Sequence, residues 1–129
     1  MIEQLPEWLE QKGRKSGVVG CLLQWAGQPA FCHSLSEPLA EPVVQELCQR
    51  LTQIATELDP THETANQYRW TYENGELYLA IRPEGSVLCL VRSGRFDGRR
   101  PAAVQRLITE FLQASPAASS DTALQPQAV

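Results

Sequence analysis

The residues best suited to chemistry in this chain are four arginines near its C-terminal third. Arg92, Arg95, Arg99 and Arg100 gather around Gly94-Arg95-Phe96-Asp97-Gly98. Counting Asp97, the segment carries a local charge of +3 in a chain whose net charge is -4. Guanidinium groups in such a loop suit contact with an acidic partner surface or a nucleotide phosphate, as an arginine finger does. A solvated loop is the simpler reading. His33 and His62 are the only histidines, separated by a predicted helix, and neither sits in a nucleophile or metal motif. A Ser-His-Asp set is recognised by geometry and stays open on spacing alone. No serine, however, occupies a Gly-x-Ser-x-Gly turn, and there is no Gly-x-x-x-x-Gly-Lys-Ser/Thr phosphate loop. Both histidines are expected at the surface.

Cys21, Cys32, Cys48 and Cys89 stand apart from one another, each within an apolar strand or on an apolar helix face. They lack the close pairing of zinc ligands, and isolated thiols of this kind behave as small buried hydrophobes. Core roles are expected, with metal and redox roles as the alternatives. Trp8, Trp25 and Trp70 read as packing residues, Trp70 with a second role as an interface anchor. These residues give no obvious catalytic apparatus. The expectation is a non-catalytic interaction module with no cofactor and no metal.

The bulk composition fits that class. The chain has 129 residues, 43% apolar and 20% charged, enough for one folded domain with its own core. A pI near 5.1 argues against a general nucleic-acid binder. No apolar run approaches the roughly 18 to 20 residues that span a bilayer. Glu3, Pro6, Glu7 and Glu10 interrupt any signal-peptide pattern, so a cytoplasmic location without membrane insertion is expected.

The elements that position these residues follow from periodicity. Residues 2–14 form a short helix with Ile2, Leu5, Trp8 and Leu9 on one stripe. Residues 17–25 are apolar almost throughout, as in a strand buried on both faces, and a break at Ala26-Gly27-Gln28-Pro29 leads to a short edge strand at 30–34. A long helix lies between Pro42 and Pro60. Val43, Val44, Leu47, Cys48, Leu51, Ile54, Ala55 and Leu58 give it a broad apolar face, and Gln45, Gln49, Thr52, Gln53 and Thr56 a polar, weakly charged one. A polar loop at 61–66 precedes a three-stranded meander. An Asn74-Gly75 turn would pair Tyr72 with Leu77, Trp70 with Leu79 and Tyr68 with Ile81. A turn at Glu84-Gly85 would set Leu88 against Ile81 and Leu90 against Leu79, leaving Tyr78, Ala80, Val87, Cys89 and Val91 on the opposite face. The last helix, about 100–114, carries Val104, Leu107, Ile108, Phe111 and Leu112 on one stripe. Residues 115–129 are rich in Ala, Ser, Gln and Pro and are expected to be disordered. The predicted fold class is α+β, an α/β sandwich with a five-stranded antiparallel sheet in the order α-β-β-α-β-β-β-α. One long helix covers one face and two helices the other.

That element order resembles the roadblock family of dynein-light-chain-like proteins, relatives of profilin and longin folds. The hairpin is similar to that family's opening motif through Gly17, Val18, Gly20, Cys21 to Leu23, Gly27 and Pro29. The resemblance covers about residues 2–114. It implies a non-catalytic homodimer that pairs through the middle helix and the strand after it. It also implies a bacterial scaffold, light chain or regulator acting with a small Ras-like GTPase, by activation or tethering.

The residues support self-pairing independently. The strand at 67–73 would be a long, aromatic-rich sheet edge without proline, blunted only by Arg69 and Glu73, and such an edge recruits another chain. The expected interface comprises Gln45, Gln49, Thr52, Gln53, Thr56, Tyr68, Arg69, Trp70, Thr71 and Tyr72. A loop or terminus covering the edge is the competing arrangement. Two other classes stand beside this one: a small acidic secretion-type chaperone dimer, and a ligand-binding module on a profilin-like sheet.

Overall fold

The computed structural model describes residues 2–58, 66–94 and 101–114. The loop expected at 61–66, apart from its last residue, lies outside them, as do His62, the segment 95–100 and the tail 115–129.

The chain opens with a 3₁₀ turn, Ile2–Gln4, that runs into α1, Leu5–Trp8, and on into a π-helical turn, Leu9–Gly13. Pro6 falls in the first turn of α1, where its missing N–H costs nothing. The hairpin follows as β1, Val18–Gln24, and β2, Phe31–Ser34. Helix α2, Glu41–Leu58, starts with the amides of Val43 and Val44 both donating to the Ala40 carbonyl. The meander is β3, Asn66–Tyr72, β4, Gly75–Ile81, and β5, Val87–Ser93, and α3 spans Ala102–Gln113. The five strands form one antiparallel sheet in the order β2-β1-β5-β4-β3. As expected, β1 is interior and the short β2 lies at an edge.

The sheet is buried on both faces. Leu5, Trp8, Leu9, Leu107, Ile108 and Phe111 of the first and last helices pack on Val18, Cys21, Tyr78, Ala80, Leu88 and Leu90. On the other side, Val44, Cys48, Leu51 and Ala55 of α2 pack on Leu22, Leu77, Leu79, Ile81, Val87, Cys89 and Val91. Two predicted registers are corrected. In the β3–β4 hairpin Tyr72 faces Gly75, Trp70 faces Leu77 and Tyr68 faces Leu79. The loop is therefore Glu73-Asn74, and Gly75 begins β4. A slip of two residues keeps every side chain on its predicted face.

The β4–β5 correction is larger. Ile81 faces Val87 and Leu79 faces Cys89, so Leu88 and Leu90 share a face with Ala80 and Tyr78 instead. The cause is a longer loop. The Gly85 amide donates to the Arg82 carbonyl and the Arg82 amide to the Ser86 carbonyl, which closes Pro83-Glu84-Gly85 as a three-residue connection. Gly85, at φ 105°, occupies the left-handed position such loops require. One extra loop residue moves β5 by one place and exchanges its faces.

Gly75 is needed for a different reason from the one its turn motif suggests. A Cβ there would lie 2.7 Å from the Arg92 carbonyl oxygen. Gly75→Ala must push β4 from β5 and is expected to cost about 2 kcal/mol, as overpacked sites do. Urea denaturation reads this as a lower midpoint at unchanged slope.

Candidate docking face

Strand β3 is the last strand of the sheet on its side. Its register sends Tyr68, Trp70 and Tyr72 to the face shared with α2, opposite Leu79, Leu77 and Gly75. The Tyr68 and Trp70 rings stack, with centroids 5.9 Å apart and planes at 24°. Both are half-buried against the α2-side core, while Tyr72 is 56% exposed. Arg69 and Thr71 point the other way, toward Glu76. The interface strand expected from sequence therefore divides into an aromatic face and a polar one.

Helix α2 does not cover that aromatic face. Its buried line is Val44, Cys48, Leu51 and Ala55, narrower than the apolar face expected from periodicity. Val43, Ile54 and Leu58 remain exposed, Leu58 at 68%. Between α2 and the ends of β3, β4 and β5 lies an open groove of about 700 Å³, lined by Val19, Leu39, Leu47, Tyr72, Leu77 and Val91 among others.

The Gln/Thr flank of α2 was expected beside β3, and this is corrected. Gln45, Gln49 and Thr52 line a smaller crevice of about 180 Å³ with Leu22, Gln24, Ala30 and Val87, and no residue of β3. Thr52 and Thr56 turn their hydroxyls back to the Cys48 and Thr52 carbonyls, at 2.7 and 2.9 Å. Gln53 is exposed beside Arg50, Ile54 and Glu57. The α2 residue that shares a groove with the end of β3 is the apolar Leu47.

The polar face of β3 adjoins a buried ionic cluster. Glu76 and Arg92 face each other across β4 and β5, 1% and 8% exposed. Arg92 Nη1 donates to Glu76 Oε1 at 2.7 Å and to the Tyr78 hydroxyl at 3.1 Å, and Arg92 Nε donates to the Ser16 carbonyl at 2.8 Å. Tyr78 donates to the same Glu76 oxygen at 2.6 Å. Thr71 donates to the other at 3.3 Å, and Arg69 Nε stands 3.8 Å from it. Burial first, and then the bond to Glu76, holds the Tyr78 phenol above its ordinary pKa. Arg92 is thus removed from the proposed basic loop: its guanidinium is engaged inside the protein. Arg95, Arg99 and Arg100 lie outside the described residues.

A second buried arginine was missed by sequence reasoning. Arg82 lies over the rings of Trp25 and Phe111, 5.5 and 5.9 Å from their centroids. Its Nη1 donates to the Phe111 carbonyl at 2.8 Å and to the Ala114 carbonyl, and its Nε pairs with Glu84 at 2.7 Å. This guanidinium caps the C-terminal end of α3, where carbonyls lack helical partners.

His33 is half-exposed, stacked on Phe31, with Nδ1 3.8 Å from a Glu41 carboxylate oxygen. Cys21, Cys48 and Cys89 are buried and Cys32 partly so, all as free thiols. Burial pushes Cys21 up to about 12 and Cys32 up to about 11, away from thiolate chemistry at neutral pH. Among the described residues no group of three His, Cys, Asp or Glu side chains is arranged to hold a metal ion, and no helix is long and apolar enough to cross a membrane. Comparison of the chain with protein-family models, curated protein sequences and solved structures gives no match.

Proposed function

We propose that this domain is a roadblock-like, non-catalytic homodimer that serves as scaffold or regulator of a small Ras-like GTPase in the bacterial cytoplasm. The observation that carries the reading is the aromatic edge strand. Tyr68, Trp70 and Tyr72 line one face of the terminal strand, next to an apolar flank of α2 wider than its own sheet requires. An edge of this kind presents ladder groups for pairing, and a twofold arrangement would extend the sheet while covering the aromatic face. Aromatic side chains supply most of the binding energy at such centres. The GTPase part rests on the family resemblance of the element order and hairpin motif.

Light scattering at tens of micromolar is expected to give twice the chain mass of 14.4 kDa. Trp70→Arg buries a charge at the interface centre and is expected to return the monomer with its circular dichroism unchanged. A dimer indifferent to that change places the contact elsewhere. Titration with a Ras-like GTPase from the same organism, in GDP and GTP-analogue forms, tests the partner separately.

The groove favours one further reading. Its volume of about 700 Å³ lies within the roughly 300–1,000 Å³ of small-molecule sites. A mass excess over the chain in native mass spectrometry would support a ligand-binding module.

A further inference from the structure

Helix α2 carries an apolar flank that its own sheet leaves open. Val43, Leu47, Ile54 and Leu58 fall on one stripe of the helix, beside the buried line of Val44, Cys48, Leu51 and Ala55. Val43 is 46% exposed, Ile54 42% and Leu58 68%. The stripe lies on the β3 side of the helix. Leu47 shares the open groove with Tyr72 and Leu77, whereas Gln45, Gln49 and Thr52 look onto Gln24 and Ala30.

Two features make this flank self-complementary. Val43 and Leu58 are equidistant from the midpoint between Arg50 and Leu51, and so are Leu47 and Ile54. A second copy of the helix turned end for end would therefore set Ile54 against Leu47 and Leu58 against Val43, along about 22 Å of helix. The two ends of the flank also differ in shape. The groove opens beside the N-terminal half of α2, where Leu39 and Leu47 stand over Val19, Leu77 and Val91. The C-terminal half offers Ile54 and Leu58 as exposed side chains. A twofold axis needs this arrangement, with the inserting and receiving parts of one patch at opposite ends.

We infer that this flank is the helical half of the homodimer contact: two α2 helices lie antiparallel across the twofold axis, and Ile54 and Leu58 of each copy enter the groove beside Leu47 of the other. This contact rests on the self-pairing proposed above and adds the helix surface that completes it. An antiparallel β3 pair puts both α2 helices on the same face of the joined sheet and runs them in opposite directions, so one axis serves strand and helix alike. Arg50 lies on the same stripe at its midpoint, 73% exposed, with Nη2 3.5 Å from a Glu46 carboxylate oxygen. Its alkyl stem can cover the apolar flank while the guanidinium stays in water with Glu46, which keeps two like charges apart at the axis.

The test uses the full-length protein and sedimentation equilibrium from nanomolar to tens of micromolar concentration. Leu47→Glu and Ile54→Lys are each expected to weaken dimerisation at least about a hundredfold, because each sets two charges against apolar side chains of the other copy. Mixed in equal amounts, the two variants should form a heterodimer at least about tenfold tighter than either homodimer. There the introduced carboxylate and ammonium meet, and the other Leu47–Ile54 pair is restored. Gln49→Lys, on the opposite flank, should leave the dimer unchanged. A wild-type dimer that survives both single changes overturns the inference and leaves the strand pairing standing. Dimers lost in both variants and not recovered on mixing overturn the antiparallel match, and a wild-type monomer overturns strand and helix contacts together. If the half-buried Leu47 does not tolerate the change, Val43→Glu with Leu58→Lys gives the same crossed comparison at exposed positions.

Discussion

Replacing Arg92 with methionine is expected to lower the unfolding free energy by about 3–5 kcal/mol, the largest single loss available outside the apolar core. The side chain is 9% exposed and its partner carboxylate 0%. Methionine fills much of the volume but leaves Glu76 buried with its counter-ion gone, holding only the Tyr78 and Thr71 hydroxyls and the more distant Arg69. An uncompensated buried charge is costlier than the pair it came from was stabilising. The double change Glu76→Gln, Arg92→Met should therefore recover at least about 1–2 kcal/mol of that loss, since no charge is then stranded. Arg92→Lys should not rescue, because one ammonium cannot reach the Ser16 carbonyl, Glu76 and Tyr78 with the geometry of the guanidinium. Chemical denaturation of the three variants measures these differences. For a domain whose total stability is typically about 5–15 kcal/mol, the single change should bring unfolding near room temperature within easy reach.

Arg82→Ala is expected to cost about 3 kcal/mol and about 10 °C of melting temperature. It removes charge-assisted bonds to the last carbonyls of α3, the pair with Glu84, and the guanidinium contact with the adjoining Trp25 and Phe111 rings. These contributions overlap in space and do not add, so the expectation lies below their sum. Arg82→Lys keeps the charge but not the planar stacking or the forked donors, and should retain about half of the stability. Hydrogen exchange gives a more specific readout: the amides of the last turn of α3 should lose protection first.

Some of this architecture was legible in the sequence and some was not, for physical reasons. The interior position of β1 followed from Val18–Gln24 being apolar nearly throughout, and α2 and α3 from their three-to-four-residue spacing. The registers around β4 did not follow. Leu77, Tyr78, Leu79, Ala80 and Ile81 are all buried, and so are Val87, Leu88, Cys89, Leu90 and Val91. Where both faces of a strand are apolar, alternation cannot choose between neighbouring registers, and the decision passes to loop length.

The error had a consequence for the site. With Leu88 opposite Ile81, Glu76 would face Ser93 and the Glu76–Arg92 pair would be invisible. Once Gly85 is given its three-residue loop, the two charges fall opposite each other and the pair can be read. Helical periodicity likewise separated the polar and apolar sides of α2, but it carries no information on how the helix is turned relative to the strands. That is why Gln45, Gln49 and Thr52 were placed beside β3 when they stand beside the ends of β1 and β5. The aromatic face of β3 survived its register slip because the slip was even.

The central claim is that β3 pairs with a second copy of this chain, and amide exchange along β3 measured across a dilution series tests it most directly. Pairing predicts that the β3 amides pointing away from β4 are protected at tens of micromolar and lose that protection at nanomolar concentration, while the β3 amides bonded to β4 and those of β1 and β5 do not. Protection of those outward-pointing β3 amides that is the same at every concentration would contradict it.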